Sequence, residues 1–418
     1  MTSVASGYGC NRGAATRVVA VHPVVEQSTL PGPNWPVMAG CLIARGRNSQ
    51  PSRAVRLAGR QAANQPRCEL GWRRVRHQLL CFFGLAWFVT LGGCGPSESL
   101  PPLLEISGET MGTYFRVQVV GQAAVDARAE LQAAVDEELR RVNLQMSTYL
   151  PESEISRFGR FESTDWFEVS RETVEVIEAA GRISEQSGGA FDVTVGPLVD
   201  LWGFGPGVRP EAAPSQERLD EIMQYVGYQL LETRREPPAL RKAHPRLQVD
   251  LSAIAKGHGI DRVSRLLSER GFGNSLVEIG GDVRASGRRP DGKAWRLGIE
   301  QPNVELGAAI QRIIRLSDQG LATSGDYRNF YRLDGERFSH TIDPSSGRPV
   351  QHRLTSVSVV AETCMLADGR ATALLALGPE RARQLAREQG WAVLLLERTD
   401  SGLEAFETAG MEPLWVKP

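Results

Sequence analysis

An uncharged apolar run, Leu79 to Val89, follows a basic cluster of Arg73, Arg74 and Arg76 and ends at Leu91-Gly92-Gly93-Cys94. It is far shorter than the roughly 20 residues a helix needs to cross a bilayer, and small residues at its end suit a signal-peptidase site. Residues 73–93 therefore read as a signal peptide, and a folded domain must lie beyond Cys94. The Gly/Pro/Ser stretch Gly95 to Pro102 reads as a tether.

Composition divides at the same place. Residues 1–93 carry eleven Arg against two Glu, a net of +9, while the remainder carries 37 basic against 47 acidic residues, a net of −10. Phosphate neutralisation needs concentrated Lys and Arg, so the mature part is not a nucleic-acid binder. Only Cys364 follows Cys94, which excludes a disulfide framework. Residues 1–72 have weak periodicity and read as disordered, or as the product of a misassigned upstream start. Leu91 to Cys94 resembles the lipobox of bacterial lipoproteins. That resemblance implies lipidation at Cys94 and a chain anchored to the inner or outer membrane, facing the periplasm.

From about residue 103 to 418, periodicity predicts one domain of α+β class with a mixed, largely antiparallel sheet and packed helices. Helical spacing appears at Ala124–Val142, Thr173–Gln186, Gln216–Tyr225, Gly259–Arg270, Met365–Leu377 and Pro379–Gln389. Gly271 and Gly390 stand at C-terminal cap positions, and Pro379 at a first helical position. Strand patterns appear at Tyr114–Val120, Leu247–Leu251, Ser275–Ile279, Trp295–Glu300, Arg312–Leu316, Thr355–Val360 and Ala392–Leu396. Hairpin signals outnumber strand-helix-strand units, which favours α+β over a doubly wound sheet.

Two nucleotide-like motifs carry little. Gly287 to Lys293 fits G-x-x-x-x-G-K, but Ala294 replaces the metal-binding hydroxyl, and Pro290-Asp291-Gly292 reads as a turn between strands. Gly203-Phe204-Gly205-Pro206 reads as an irregular loop, and Trp202 as a core residue.

Four other features are chemically suggestive. Asp368 and Thr372 project from one helix face, and a carboxylate beside a hydroxyl suits magnesium, which keeps waters and binds substrate phosphates. Lys256 begins a Lys-Gly-x-Gly turn into a helix, where a cation and free amides favour phosphate. Leu333-Asp334-Gly335-Glu336 is a two-residue hairpin signal that places Asn329 opposite His340, Arg328 beside Thr341 and Asp326 beside Asp343. His340 is then either a packed core histidine or an acid/base group.

The blocks Met111-Gly112-Thr113, Met146-Ser147-Thr148-Tyr149, Gly188-Gly189-Ala190-Phe191-Asp192, Asp250-Leu251-Ser252-Ala253-Ile254-Ala255-Lys256-Gly257, Glu278-Ile279-Gly280-Gly281-Asp282, Thr323-Ser324-Gly325-Asp326, Ser339-His340-Thr341-Ile342-Asp343-Pro344 and Ala367-Asp368 with Ala371-Thr372-Ala373 occur in an order that closely resembles the ApbE family, the FAD:protein FMN transferases. The resemblance covers about residues 104–415. It implies that Asp368, Thr372 and the backbone carbonyl of Ala253 hold magnesium. It also implies that Met111, Tyr149, Ala190, Phe191, Asp192, Asp250, Lys256 and Ile342 contact FAD, which is a substrate. His340 is the first candidate base and Asp343 the second. The implied partner is an acceptor protein flavinylated on Ser or Thr, a subunit of a membrane redox complex. FAD pyrophosphatase activity and non-enzymatic flavin binding are the competing expectations. Gly369, inside the Asp368–Thr372 turn, weakens a helix by about 1 kcal/mol relative to Ala.

If Cys94 is the lipidated residue, Cys94→Ser leaves an unprocessed precursor and abolishes labelling by a radiolabelled fatty acid; labelling that persists in the mutant removes the lipoprotein assignment.

Overall fold

The computed structural model describes residues 99–301, 310–325 and 329–416. Residues 1–72, the signal segment 73–93, Cys94 with the tether as far as Glu98, and Asp326 and Arg328 of the expected hairpin register lie outside the described residues.

Eight strands pair in chain order into one sheet: β1 (Leu103–Thr110), β2 (Thr113–Val120), β3 (Ser275–Ile279), β4 (Asp282–Ser286), β5 (Gln319–Gly325), β6 (Leu354–Ala361), β7 (Ala392–Thr399) and β8 (Gly402–Glu407). Every described ladder is antiparallel, in keeping with the α+β expectation. All residues of β3 and β6 are buried, because both sheet faces are covered. On one face, Val277 and Ile279 of β3 and Val357 and Val359 of β6 meet helices. On the other, Leu276 and Val360 meet the hairpin Trp295–Glu300/Ile310–Leu316.

The helices are α1 (Gln122–Asp126), α2 (Arg128–Met146), α3 (Glu154–Arg160), α4 (Arg171–Gln186), α5 (Gly196–Leu201), α6 (Gln216–Met223), α7 (Ala255–Glu269), α8 (Cys364–Leu377) and α9 (Pro379–Glu388). Among the described residues none is long and apolar enough to cross a membrane. Two expectations change. The single helix expected over Ala124–Val142 is two, with Ala127 as the cap they share. Leu247–Leu251 alternates in burial as a strand would but joins no ladder. Its backbone is satisfied by other partners: the Asp250 amide donates to the Val193 carbonyl (2.7 Å), and the Leu247 carbonyl accepts from Lys242.

Lys242 is fully buried, and its ammonium donates to the carbonyls of Phe158, Gly159 and Leu247, each at 3.1 Å. Burial lowers its pKa to about 8. The side chain thereby ties the end of α3 to the segment that leads into Asp250 and Ala253.

Helix α7 begins at Ala255, earlier than the expected Gly259. Two glycines argue against helix on propensity alone, yet tertiary contact requires one of them. A Cβ on Gly257 would lie 2.4 Å from the Cys364 carbonyl oxygen and 2.6 Å from the Met365 Cα, so the start of α7 packs directly on the start of α8. Gly369 of α8 faces a softer obstacle, the terminal methyl of Ile183 at 2.5 Å. Gly257→Ala should therefore lower stability by about 1–3 kcal/mol as overpacking against backbone. Gly369→Ala should lose less, since a methyl can turn aside and Ala favours helix. Urea midpoints compare the two, and an equal loss would contradict the distinction.

Candidate active site

Thr363 caps α8, its hydroxyl accepting from the Leu366 amide. The other amides at this end are held by Asp261 of α7, whose carboxylate accepts from Cys364 N (2.9 Å) and Met365 N (2.8 Å) and pairs with Arg284. One turn further on, Asp368 is only 2% exposed. Its Oδ2 accepts from the Gly257 amide at 3.1 Å, and both its oxygens accept from Lys256 Nζ at 3.1 and 3.2 Å. The same ammonium reaches Asp282 Oδ2 at 3.1 Å. Asp282 starts β4, presented by a two-residue turn in which Gly280 and Gly281 both have positive φ, and its Oδ1 accepts from Thr323 N. Burial pushes the Asp368 carboxyl up, although Lys256 pulls it back. Burial works against the charge on Lys256, but Asp282 and Asp368 outweigh it and raise its pKa.

Thr372 follows Asp368 by one turn, with its hydroxyl 3.1 Å from that of Ser324 at the end of β5. Ala253 lies just before α7. A continuing helix would send the Gly257 amide to the Ala253 carbonyl, but that amide is turned to Asp368. Asp368 and Thr372 thus lie one turn apart on α8, Asp368 against the start of α7 and Thr372 against Ser324, and Ala253 stands just ahead of α7. Among the described residues no three His, Cys, Asp or Glu side chains form a metal cage. The donor set fits magnesium, a hard cation that takes oxygen ligands and leaves positions for water and phosphate.

The hairpin Phe330–Leu333/Glu336–Ser339 has the expected register, and the His340 amide donates to the Asn329 carbonyl. His340 Nδ1 lies 3.0 Å from the same carbonyl oxygen. A carbonyl oxygen only accepts, so Nδ1 carries the hydrogen of this bond. Phe204 stands edge-on to this ring at 6.4 Å between centroids, and the Phe204 carbonyl accepts from the Tyr149 hydroxyl. Tyr149 is 61% exposed; partial burial, then Asp250 and Asp200, raise its pKa. His340 and Tyr149 are linked in this way through Phe204. Asp343 is differently placed. Its Oδ1 accepts from Ser345 N and Oγ, and its Oδ2 from Ser346 Oγ, so its own turn engages both oxygens.

Asp192 is a clamp. It accepts from Thr194 N and Oγ1 and from Tyr228 N, and burial raises its pKa. Ala190 and Asp192 line a cleft of about 390 Å3 with Gly189, Tyr228, Asp343 and Arg381. A second cleft of about 370 Å3 lies against Trp202, Phe338, Asp343 and His352. Both reach Ala376, one turn beyond Thr372, so α8 runs from the Asp368 corner to the clefts.

Three expected contacts sit deeper. Phe191 is 2% exposed, in the core against the Gly369 position; Ile342 packs with Trp202 and Phe338. Met111 occupies the β1–β2 turn with φ 50° and packs between two core clusters. Trp202 is the expected core residue, its Nε1 donating to the Gly347 carbonyl. Gly287–Lys293 is the expected turn, closed by the Arg289 amide on the Lys293 carbonyl.

Sequence reasoning assigned no role to Asp282, Asp261 or Ser324. Asp282 and Ser324 lie within the motifs quoted above; for Asp282 the available signal is the Gly280-Gly281 turn that delivers it to the head of its strand.

Comparison with known proteins gives one answer. Residues 111–395 match the model described as the ApbE family. The FAD:protein FMN transferase of Vibrio cholerae is 42% identical over 334 residues, spanning 80% of this chain and 98% of that protein. The Escherichia coli K12 protein of the same description is 38% identical over 317 residues, spanning 75% and 87%. Among solved structures, the flavin transferase ApbE of V. cholerae superposes with a TM-score of 0.70 at 41% identity, covering 75% of this chain and 99% of that one. The apo form of the Pseudomonas stutzeri flavinyl transferase ApbE gives 0.70 at 36% identity, covering 76% and 98%.

Proposed function

The chain belongs to the ApbE family, and we propose on that premise that it is a magnesium-dependent FAD:protein FMN transferase acting on a Ser or Thr hydroxyl of an acceptor protein. The observation that supports the magnesium site is the buried Asp368 carboxylate held against the start of α7 beside Lys256, with Thr372 one turn on and Ala253 just ahead of that helix. We further place the acceptor among subunits of a membrane redox complex, reached by an enzyme anchored through Cys94 and facing the periplasm.

In this reaction the acceptor oxygen bonds to the FMN phosphorus of FAD while the bridging P–O bond breaks, and AMP leaves with the bridging oxygen. The acceptor's proton passes to His340, whose ring is held by its Nδ1–H bond to the Asn329 carbonyl. Asp343 is the poorer candidate, with both oxygens engaged by its own turn. Magnesium, when bound, offsets charge developing on the pyrophosphate oxygens. Lys256, with 30% of its side chain exposed, adds a fixed positive charge at the same corner. Exposed Tyr149 offers an aromatic face for a flavin or adenine ring.

Incubation with FAD, magnesium and a candidate acceptor tests the assignment. Acid-stable fluorescent protein is the expected product; free FMN alone would mean pyrophosphatase action, and unchanged FAD a binding protein.

His340→Asn should slow flavinylation about 100-fold or more, the usual worth of a positioned base, while FAD binding persists. Loss of folding by circular dichroism would instead mark His340 as a packing residue.

Asp368→Ala and Thr372→Ala should each lose turnover, Asp368→Ala more, and excess magnesium should partly rescue only Thr372→Ala. A shared cation makes the losses non-additive, so the double mutant should be little worse than Asp368→Ala. Rates across a magnesium titration measure this, and simple additivity without magnesium dependence would make the pair a solvated helix face.

A further inference from the structure

The Lys256 ammonium bisects the Asp368 carboxylate, with near-equal distances of 3.1 and 3.2 Å to its two oxygens. The Gly257 amide takes a further position on Oδ2. A divalent cation and this ammonium therefore compete for the same carboxylate face. A second buried carboxylate, Asp282 at 3% exposure, already contacts the ammonium at 3.1 Å, and the Thr323 amide fixes its other oxygen.

We infer that Asp282 is a positioning residue that retains the Lys256 ammonium when a divalent cation engages Asp368, which lets both positive charges occupy one corner of the site. The inference rests on Asp368 as a metal ligand. Its basis is charge and reach. With Asp282, the corner holds two carboxylates against one ammonium, a net of −1 that attracts a divalent cation. Without Asp282, Asp368 and Lys256 form a neutral pair, and the cation must displace an ammonium that has no second anchor there. That displacement breaks the ion pair of a buried carboxylate, so the cation gains Asp368 only at the expense of the ammonium. Retained on Asp282, the ammonium stays beside the cation, where phosphate oxygens would meet both charges. Asp282 itself touches neither cation nor substrate in this role.

The test is manganese affinity, read as free Mn2+ by electron paramagnetic resonance on the full-length chain in detergent, with no flavin present. Asp282→Asn should weaken binding about tenfold or more, since a unit charge is removed within a few ångströms. Asp282→Glu should restore most of the affinity. Lys256→Met should have the opposite sign, tightening Mn2+ binding several-fold while slowing FMN transfer, and it keeps the inference testable should Asp282→Asn fold poorly. Unchanged affinity in either Asp282→Asn or Lys256→Met overturns the inference. Asp368→Asn is the separate control: if it binds Mn2+ like the wild type, the metal-site reading itself fails, whatever the Asp282 variants do.

Discussion

A carboxylate buried at the meeting of two helices sets the terms for much of this site. Removing a charge from water costs several kcal/mol unless partners replace the lost hydration. Asp368 is supplied with two of them by α7, the Gly257 amide and the Lys256 ammonium, and that ammonium is shared with a second carboxylate, Asp282 at the start of β4, which by itself opposes the charge on Asp368. The supply works only if α7 and α8 approach closely, and Gly257 permits that approach, since any side chain there would collide with the Cys364 carbonyl. Asp261 holds the same junction by binding the first amides of α8. Packing and electrostatics are thus one constraint, because a shift of α8 by the width of a methyl group would loosen every bond to Asp368.

The sheet provides the rigid reference for these contacts. Chemical groups from distant parts of the sequence arrive at its strand ends and turns: Met111 between β1 and β2, Asp282 at the start of β4, Ser324 near the end of β5. Helix α8 crosses this arrangement and carries Asp368, Thr372 and Ala376 at successive turns, which joins the charged corner to the clefts beside Ala190 and Asp343. The buried Lys242 ammonium does a related job on the other flank, fixing by three carbonyl bonds the extended segment that delivers Asp250 and Ala253.

Local relations were legible in the sequence and long-range pairings were not. The four-residue spacing of Asp368 and Thr372, the register that puts Asn329 opposite His340, and the Pro290-Asp291-Gly292 turn all follow from neighbouring residues. The partners of Lys256 do not: Asp368 lies 112 residues away, and no periodicity announces the pair. Asp261 and Asp282 each looked like one acidic residue among many. The Leu247–Leu251 segment misleads for a related reason, since alternating burial requires only an inside and an outside, whereas a strand also requires a neighbour with free backbone groups. The family resemblance names Ala253 as a ligand on grounds outside the local pattern; the structure adds only that the Gly257 amide, its helical i+4 donor, is turned to Asp368.

The proposed chemistry asks less of the base than of its position. Phosphoryl transfer through a loose transition state leaves the attacking oxygen weakly bonded to phosphorus, so the acceptor hydroxyl becomes acidic late, after most of the P–O cleavage. A positioned imidazole suffices for such a step, and the Asn329 carbonyl holds the Nδ1 edge of the ring in place. The greater demand falls on charge stabilisation at the pyrophosphate, and the corner proposed for it brings together a buried carboxylate pair, an ammonium and a close helix crossing. A substitution that shifts α8 without touching His340 should therefore impair transfer more than a modest change in the basicity of the ring, because geometry at Asp368 governs the larger energy.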